Sequence, residues 1–344
     1  MKSKKIMSVI LSVALIGSCC AVGLATATPQ QDAEFVFESL SNYRLGSMSW
    51  GVKTMGLDDL QKKLNSSGKE LPEVRVAVID SGLDTSNKYL AGRYTDDGYN
   101  IIKNNTDITD EAKHGTMVSG IIADGTTSNV KILPIKVNGK AGVGKLSDVS
   151  KGIYYAIEHD ADVINLSLSA SDPNHTLTLL DDAIEEAVSK GIVIVVAAGN
   201  EKGDVMTHYP SNKDNVLTIT ATDRKNRICS YSNTGASVDF ALPGNNIIAP
   251  RNTFAFIASG TSLSAPHAAA AAALLKTVDK SLNQEEIKEI LKEYCIDLGR
   301  PGFDEIYGWG MIDLSEYKVD GSSEPARPRT TIIGKLIDQL RKRR

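Results

Sequence analysis

Cysteine is scarce in this chain. It has four in 344 residues, and Cys19 and Cys20 lie within an N-terminal apolar run. A fold stapled by disulfides is thereby excluded. Cys229 and Cys295 remain, either as one pair in an oxidising compartment or as two buried thiols. Basic charge is also in deficit. Lys and Arg total 38 against 42 Asp and Glu, a formal net charge of −4. Loss of the first 27 residues, with Lys2, Lys4 and Lys5 their only charged side chains, gives −4 − 3 = −7. An acidic protein of this kind argues against nucleic acid as a main partner. Internal repeats are lacking as well. Hydrophobic content of 42% and charged content of 23% are ordinary for a soluble globular protein. The length exceeds one typical domain and suits one large α/β domain with tails, whose core is big enough to need no staples.

The one long apolar run is Ile6 to Leu24. With the lysines before it and Ala25-Thr26-Ala27 after it, residues 1–27 read as a secretory signal peptide. A retained anchor is the alternative, and Ile16-Gly17-Ser18-Cys19 loosely resembles a lipoprotein box. Residues 28–47 are polar and patternless, and read as a short pro-stretch or N-terminal arm. The main domain is expected over 48–317. Beyond it, 318–344 form a polar linker and a basic tail, with Ile333, Leu336, Ile337 and Leu340 on one helical face and Arg341-Lys342-Arg343-Arg344 at the end. The tail fits either a weak membrane or cell-wall contact or a solvated or docked helix.

Between these ends, strand and helix signals alternate. Val74 to Ile79, Val130 to Val137, Asp162 to Leu168 and Ile192 to Ala197 are apolar runs of the kind that form buried parallel strands. Val216 to Thr220, Ser237 to Ala241 and Phe254 to Ala258 read as later strands. Helical patterns cover Leu57 to Leu64, Leu146 to His159, Leu177 to Lys190, Thr261 to Val278 and Asn283 to Tyr294, the last with Asn283 and Glu286 as a capping box. The fold class is therefore α/β, a mostly parallel central sheet with helices on both faces.

Three stretches carry chemistry. Asp80 ends the first apolar strand, where open α/β sheets gather active residues. His114 opens a run of small residues. Ser262 stands in a glycine-preceded turn, two residues after Gly260, at the start of an alanine-rich helix and beside a helix N-terminus suited to negative charge. Each has a plain structural alternative: a turn-capping aspartate, a core histidine, a helix N-cap. Together they supply the roles that nucleophilic catalysis needs. An imidazole takes the hydroxyl proton, and a carboxylate fixes the imidazole tautomer.

The motifs Val-Ile-Asp-Ser-Gly at 78–82, His-Gly-Thr at 114–116 and Gly-Thr-Ser-x-x-Ala-Pro-His at 260–267, in the order Asp, His, Ser, resemble those of the subtilisin family of serine proteases from about Trp50 to Leu314. The resemblance implies a three-layer subtilisin-like fold, with Asp80 as orienting acid, His114 as general base and Ser262 as nucleophile. It implies that Asn200 and the Ser262 backbone amide hold the oxyanion. It also implies that Gly142, Val143 and Gly144 pair with an extended substrate strand, Ser167, Leu168 and Ser169 form the opposite wall, and Ala197, Ala198 and Gly199 line the pocket for the residue before the scissile bond. Glu201 is placed at that pocket's rim, favouring Lys or Arg, and Tyr209-Pro210 resembles a cis bond beside it.

The chain also departs from the familiar secreted enzymes. Their calcium-binding insertion after the histidine helix is reduced here to Asp124 to Asn129, and Tyr89 stands where they carry an aspartate ligand. No cofactor is expected, and that calcium site is predicted to be missing. Residues 28–47 are too short for the family's folding pro-domain, so the domain is expected to fold unaided or with help in trans. Met117 replaces a second histidine of many relatives, with little consequence expected. The function expected is that of an exported, monomeric serine endopeptidase acting on extended peptides, such as a bacteriocin or lantibiotic leader. The alternative is an inactive scaffold on the same fold.

Overall fold

The computed structural model describes residues 38–39, 49–251 and 254–319. The expected signal segment and the basic tail beyond 319 lie outside them, as does most of the 28–47 stretch. The elements are β1 (Glu38–Ser39), α1 (Trp50–Thr54), α2 (Leu57–Ser66), β2 (Val74–Asp80), β3 (Tyr99–Asn100), α3 (His114–Asp124), β4 (Val130–Lys136), α4 (Leu146–Glu158), β5 (Val163–Leu166), β6 (Ala170–Ser171), α5 (Asp181–Ser189), β7 (Val193–Ala197), β8 (His208–Tyr209), β9 (Leu217–Thr222), β10 (Phe240–Pro243), β11 (Ile247–Arg251), β12 (Phe254–Ala258), α6 (Thr261–Val278), α7 (Gln284–Glu293), β13 (Cys295–Ile296) and β14 (Met311–Ile312).

Seven strands form one sheet in the order β10-β9-β7-β5-β2-β4-β3, and every pairing in it is parallel. The continuous apolar sequences of β2, β4, β5 and β7 follow from this. A parallel strand covered by helices on both faces has no solvent side, so the polar–apolar alternation disappears. One face packs on α3 and α6, the other on α4 and α5. Ala268 to Ala273 are all fully buried, and these short side chains let α6 lie close across β5, β7, β9 and β10. The order reverses at β2, whose neighbours are β4 and β5. Such a switch point opens a crevice outside the strand ends, the usual place for a site in open α/β sheets.

Most elements lie where the sequence pattern puts them, and Asn283 with Glu286 completes the expected capping box. Three expectations need correction. The helix expected from Leu177 begins only at Asp181, because the Asp172 carboxylate takes the amides of Thr176 and Leu177 and the Tyr209 hydroxyl takes that of Leu180. The strand expected from Ser237 starts at Phe240, since a turn from Gly235 to Val238 precedes it. Within the stretch read as patternless, Glu38–Ser39 pairs antiparallel with β12.

The end of α3 is fixed by a side chain. Arg93 donates from Nη1 to Ala123 O at 2.8 Å, and from Nη2 to Thr126 O, Thr126 Oγ1 and Thr127 O at 3.2, 2.8 and 3.0 Å. The last carbonyls of a helix lack intrahelical donors and carry the negative end of its dipole, so a cation there is favourable. Burial pulls the guanidinium down to about 10, opposed by the charge of Asp124.

Candidate active site

Asp80 is the last residue of β2 and is almost fully buried. Its Oδ1 accepts the amide of Ser81 at 2.7 Å, and both its oxygens lie 2.9 Å from His114 Nδ1. A carboxylate on that side makes Nδ1 the protonated nitrogen and leaves the Nε2 lone pair for a substrate-side proton. His114 is the first residue of α3, and a left-handed Lys113 (φ 69°) turns the chain into the helix. That turn is tied down by Asp110, which is fully buried. Its carboxylate accepts from Ser81 Oγ, Lys113 N, Thr116 N and Thr116 Oγ1 at 2.6 to 2.8 Å. Ser81 Oγ in turn accepts Gly115 N at 2.9 Å, so the turn after β2 and the head of α3 form one bonded unit. Burial alone pushes the His114 ring down. The charge and hydrogen bond of Asp80, with the charge of Asp110 behind it, outweigh burial and hold the ring above the ordinary 6.5.

Ser262 is the second residue of α6 and is partly exposed. Its position depends on Pro266. A proline at this point has no N–H to give the carbonyl four residues back, which is that of Ser262. The Ser167 hydroxyl donates to that carbonyl at 2.8 Å, and Ser167 Oγ itself accepts from Asn165 Nδ2 at 2.9 Å. Asn200 follows β7 and is held by Thr261. Its Oδ1 accepts Thr261 N at 2.9 Å and Thr261 Oγ1 at 3.1 Å. With the oxygen occupied, Nδ2 is the atom of Asn200 left to donate outward. Gly260 clears the space between the two residues. A Cβ there would stand 3.2 Å from Ser262 Oγ and 3.7 Å from Asn200 Nδ2.

The two halves of the site meet through the helices. Met117, one turn after His114, packs in a cluster with Leu263, next to Ser262. His114 Nε2 is buried with no hydrogen-bond partner among the described residues, so the His114–Ser262 bond is not made. Catalytic hydrogen bonds are often open without substrate and tighten in the complex.

The expected cleft walls divide. Gly142 to Gly144 close a hairpin, with Asn138 bridging Gly144, Gly139 N donating to Val143 O, and the Val143 side chain half exposed. Leu168 is buried with Leu180 and Tyr209, so its side chain belongs to the core. The Ser167 side chain is likewise committed, its hydroxyl donating to Ser262 O. Ser169 is buried just before β6. Ala197 ends β7, Ala198 N bonds Ile219 O, and Gly199 N donates to Thr261 Oγ1 at 3.1 Å, which brings this wall against the start of α6. Tyr209-Pro210 is cis. Cys229 and Cys295 are both buried free thiols, and burial pushes Cys229 up to about 11. Sequence reading missed Asp110, Thr261 and Asn233, whose buried Oδ1 accepts the amides of Glu201 and Gly203 in the turn after Asn200. Thr261 had a signal, its place between Gly260 and Ser262. The other two are polar loop residues whose burial no periodicity reveals.

Residues 72–310 match the model of the subtilase family, Peptidase S8. The chain is 32% identical over 259 residues to the minor extracellular protease Epr of Bacillus subtilis, covering 72% of this chain and 39% of that one. It is 37% identical over 254 residues to a thermophilic serine proteinase of Bacillus sp., covering 71% and 60%. These two relatives are thus longer than the part matched. Subtilisin Savinase of Lederbergia lenta is 31% identical over 279 residues, 78% of this chain and 97% of that one. Among solved structures, a cold-adapted subtilisin-like serine proteinase aligns with TM-score 0.64 at 27% identity, over 70% of this chain and 89% of that one. A lanthipeptide protease aligns with TM-score 0.68 at 24% identity, over 78% and 98%, a likeness of fold alone.

Two measurements test the geometry. If His114 must be neutral to accept a proton, hydrolysis should fall as pH drops, with the acid-limb midpoint of kcat/KM above 6.5; a midpoint below 6 contradicts the Asp80 and Asp110 influence. Ser167→Ala strands the Ser262 carbonyl, so urea denaturation should show a loss of about 1–3 kcal/mol. An unchanged midpoint would mean another donor takes its place.

Proposed function

Because the chain belongs to the subtilase family, we propose that it is an exported serine endopeptidase that cleaves peptide bonds through Asp80, His114, Ser262 and Asn200. The observation that carries this reading is the His114 ring seated on Asp80 by Nδ1, with Nε2 left unpaired. Nε2 takes the Ser262 proton as Oγ attacks the carbonyl carbon. The imidazolium that forms is steadied by Asp80, and later gives its proton to the leaving amine. Negative charge on the carbonyl oxygen is received by Asn200 Nδ2 and by the Ser262 amide in the first turn of α6, where helix amides lack internal acceptors. The acyl-enzyme is then hydrolysed by water along the same proton path. Extended peptides are received by main-chain atoms of 142–144 and 167–169. The presence of all four residues at the motif positions weighs against the scaffold alternative.

A fluorophosphonate probe should label Ser262 and fail to label Ser262→Ala. Loss of turnover in that variant should be about 10⁶, the size seen for the subtilisin serine. Asn200→Ala should lower kcat by about 10²–10³, the subtilisin asparagine's figure, with KM little changed. A folded protein that resists the probe would favour the scaffold.

The narrower role, removal of a leader from one bacteriocin or lantibiotic precursor, is proposed with it, and so are the monomeric state and secretion, the last in keeping with extracellular relatives. Selective cleavage of one precursor would support the narrow role; broad digestion of casein would exclude it.

The calcium site of the familiar enzymes does not fit this chain. Where their aspartate ligand stands, Tyr89 packs with Ile248 and Ala255. The carbonyls at the end of α3 are engaged by the Arg93 guanidinium. Thermal unfolding should therefore be the same with and without a chelator, while Arg93→Ala should unfold several degrees lower. A large chelator effect on the native chain would overturn this.

A further inference from the structure

Away from the cleft, a tightly bonded loop shows apolar side chains to solvent. It covers residues 299–310, between β13 and β14. The Asp304 carboxylate accepts the amides of Arg300, Ile306 and Tyr307, each at 2.8 Å, and Asp297 accepts that of Gly302 at 3.0 Å. Gly308, left-handed at φ 60°, passes so close to the start of β10 that a Cβ on it would stand 2.3 Å from Asp239 O. The loop is thus fixed, yet Phe303 is 42% and Ile306 46% exposed. The Phe303 ring lies 5.5 Å from that of Trp309, and both residues line a hollow of about 280 Å³. That is smaller than the pockets that enclose whole small molecules, and suits side chains of a peptide segment. Large apolar groups gathered on a loop of fixed shape mark a contact surface.

Charge around the hollow is acidic on balance. Lys288 meets Asp239 at 2.7 Å, and the charges of Glu285 and Asp214 also act on it. Lys292, over the Trp309 ring at 4.3 Å, is paired with Glu289, and Lys213 with Asp181. These lysines are therefore already answered. Arg300 is exposed, and so are Asp214, Glu285 and Glu305. Asp239 precedes β10 and Lys213 precedes β9, so the hollow lies at the amino ends of strands, whereas Asp80 and Asn200 lie at carboxyl ends. A ligand that fits would be apolar on one side and basic overall, and it would leave the cleft open.

We propose that residues 332–344 of the same chain dock on this surface, their apolar stripe against Phe303, Ile306 and Trp309 and their basic residues among the surrounding acids. The site lies outside the cleft and does not depend on the protease reading. The chain is led there. Lys63 donates to Ser315 O and Tyr317 O at 2.6 and 3.1 Å, and the Tyr317 ring packs edge-on against Tyr294 at 5.2 Å. Tyr294 closes α7, the helix that carries Lys288 and Lys292, and Lys288 lies about 9 Å back along it. Residues 320–331 can span up to about 40 Å, so the segment beyond them reaches the hollow. Ile333, Leu336, Ile337 and Leu340 have the spacing of one helical face, the pattern with which a helix fills an apolar groove. So short a helix is marginal in water and gains from such a surface. The charges agree. Residues 49–319 carry 27 basic and 36 acidic side chains, a balance of −9, while residues 320–344 carry seven and three, a balance of +4. A second copy of the domain would set like charge against like, so the chain's own tail is the better occupant.

The test uses the full chain carrying Ser262→Ala, so that the tail is not cut in the sample, and a synthetic peptide of residues 330–344. Amide hydrogen exchange is followed by mass spectrometry. Exchange over 332–344 should be about tenfold slower in the chain than in the peptide, the size expected when a contact of ~100 μM is tethered at a millimolar effective concentration. Phe303→Ser, Ile306→Ser and Leu336→Ser should each return the tail to the peptide's rate. The first two replace exposed side chains and the third lies outside the domain, so exchange in α6 should stay unchanged in all three. Equal rates in chain and peptide overturn the proposal. Slowing that survives both Phe303→Ser and Ile306→Ser overturns it too, because the tail then rests elsewhere. Slowing that grows with protein concentration would mean a second copy, and slowing that needs phosphatidylglycerol vesicles would mean a membrane; either outcome also overturns it.

Discussion

A carboxylate buried at the end of a central strand is costly unless donors converge on it. Asp80 is such a group, and its donors come from its own turn and from the first residue of α3. That requirement fixes the angle at which α3 leaves the sheet. It sets the imidazole tautomer, and with it which nitrogen faces the cleft. A second buried carboxylate, Asp110, reinforces the same corner by gathering two hydroxyls and two amides. The small residues after His114 belong to this arrangement, since Gly115 passes directly against Gly82 O and the Asp80 side chain. The lysine at the end of β4 completes the corner: Lys136 donates to Ser81 O, and burial lowers its affinity for a proton.

The serine side is organised around a missing donor. Pro266 leaves the Ser262 carbonyl without its helical partner, and β5 supplies one through Ser167. The end of one strand is thereby tied to the residue beside the cleft. Asn200 is tied to the same helix turn through Thr261, so β5, β7 and α6 converge on one point. Residues just past two strand ends are locked to the first turn of α6, and these bonds set the spacing of the proposed oxyanion donors and nucleophile, as electrostatic preorganisation requires.

The parts legible in the sequence were those with a repeating physical signature. Buried parallel strands read as unbroken apolar runs, and β2, β4, β5 and β7 stand within a residue or two of the stretches Val74 to Ile79, Val130 to Val137, Asp162 to Leu168 and Ile192 to Ala197. The Asn283–Glu286 box was visible because both partners lie within one turn. Less legible were places where a distant side chain intervenes. Nothing between Asp172 and Leu180 announces that Tyr209 and the Asp172 carboxylate hold that segment out of a helix. Asp110 and Asn233 look like ordinary loop residues, and only the folded chain buries them among backbone amides. Strand β11 was not anticipated, because Ile247 to Arg251 is interrupted by a proline tolerated beside an edge.

The guanidinium at the end of α3 differs from a bound ion in one respect. An ion held from solution confers order in proportion to its supply, and order is lost when citrate, phosphate or a competing surface sequesters it. A cation carried on the chain is present at fixed stoichiometry from the moment of folding. The far end of α3, at Ala123 and the Thr126–Thr127 turn, is thus held by a charge whose supply cannot vary with the surrounding solution.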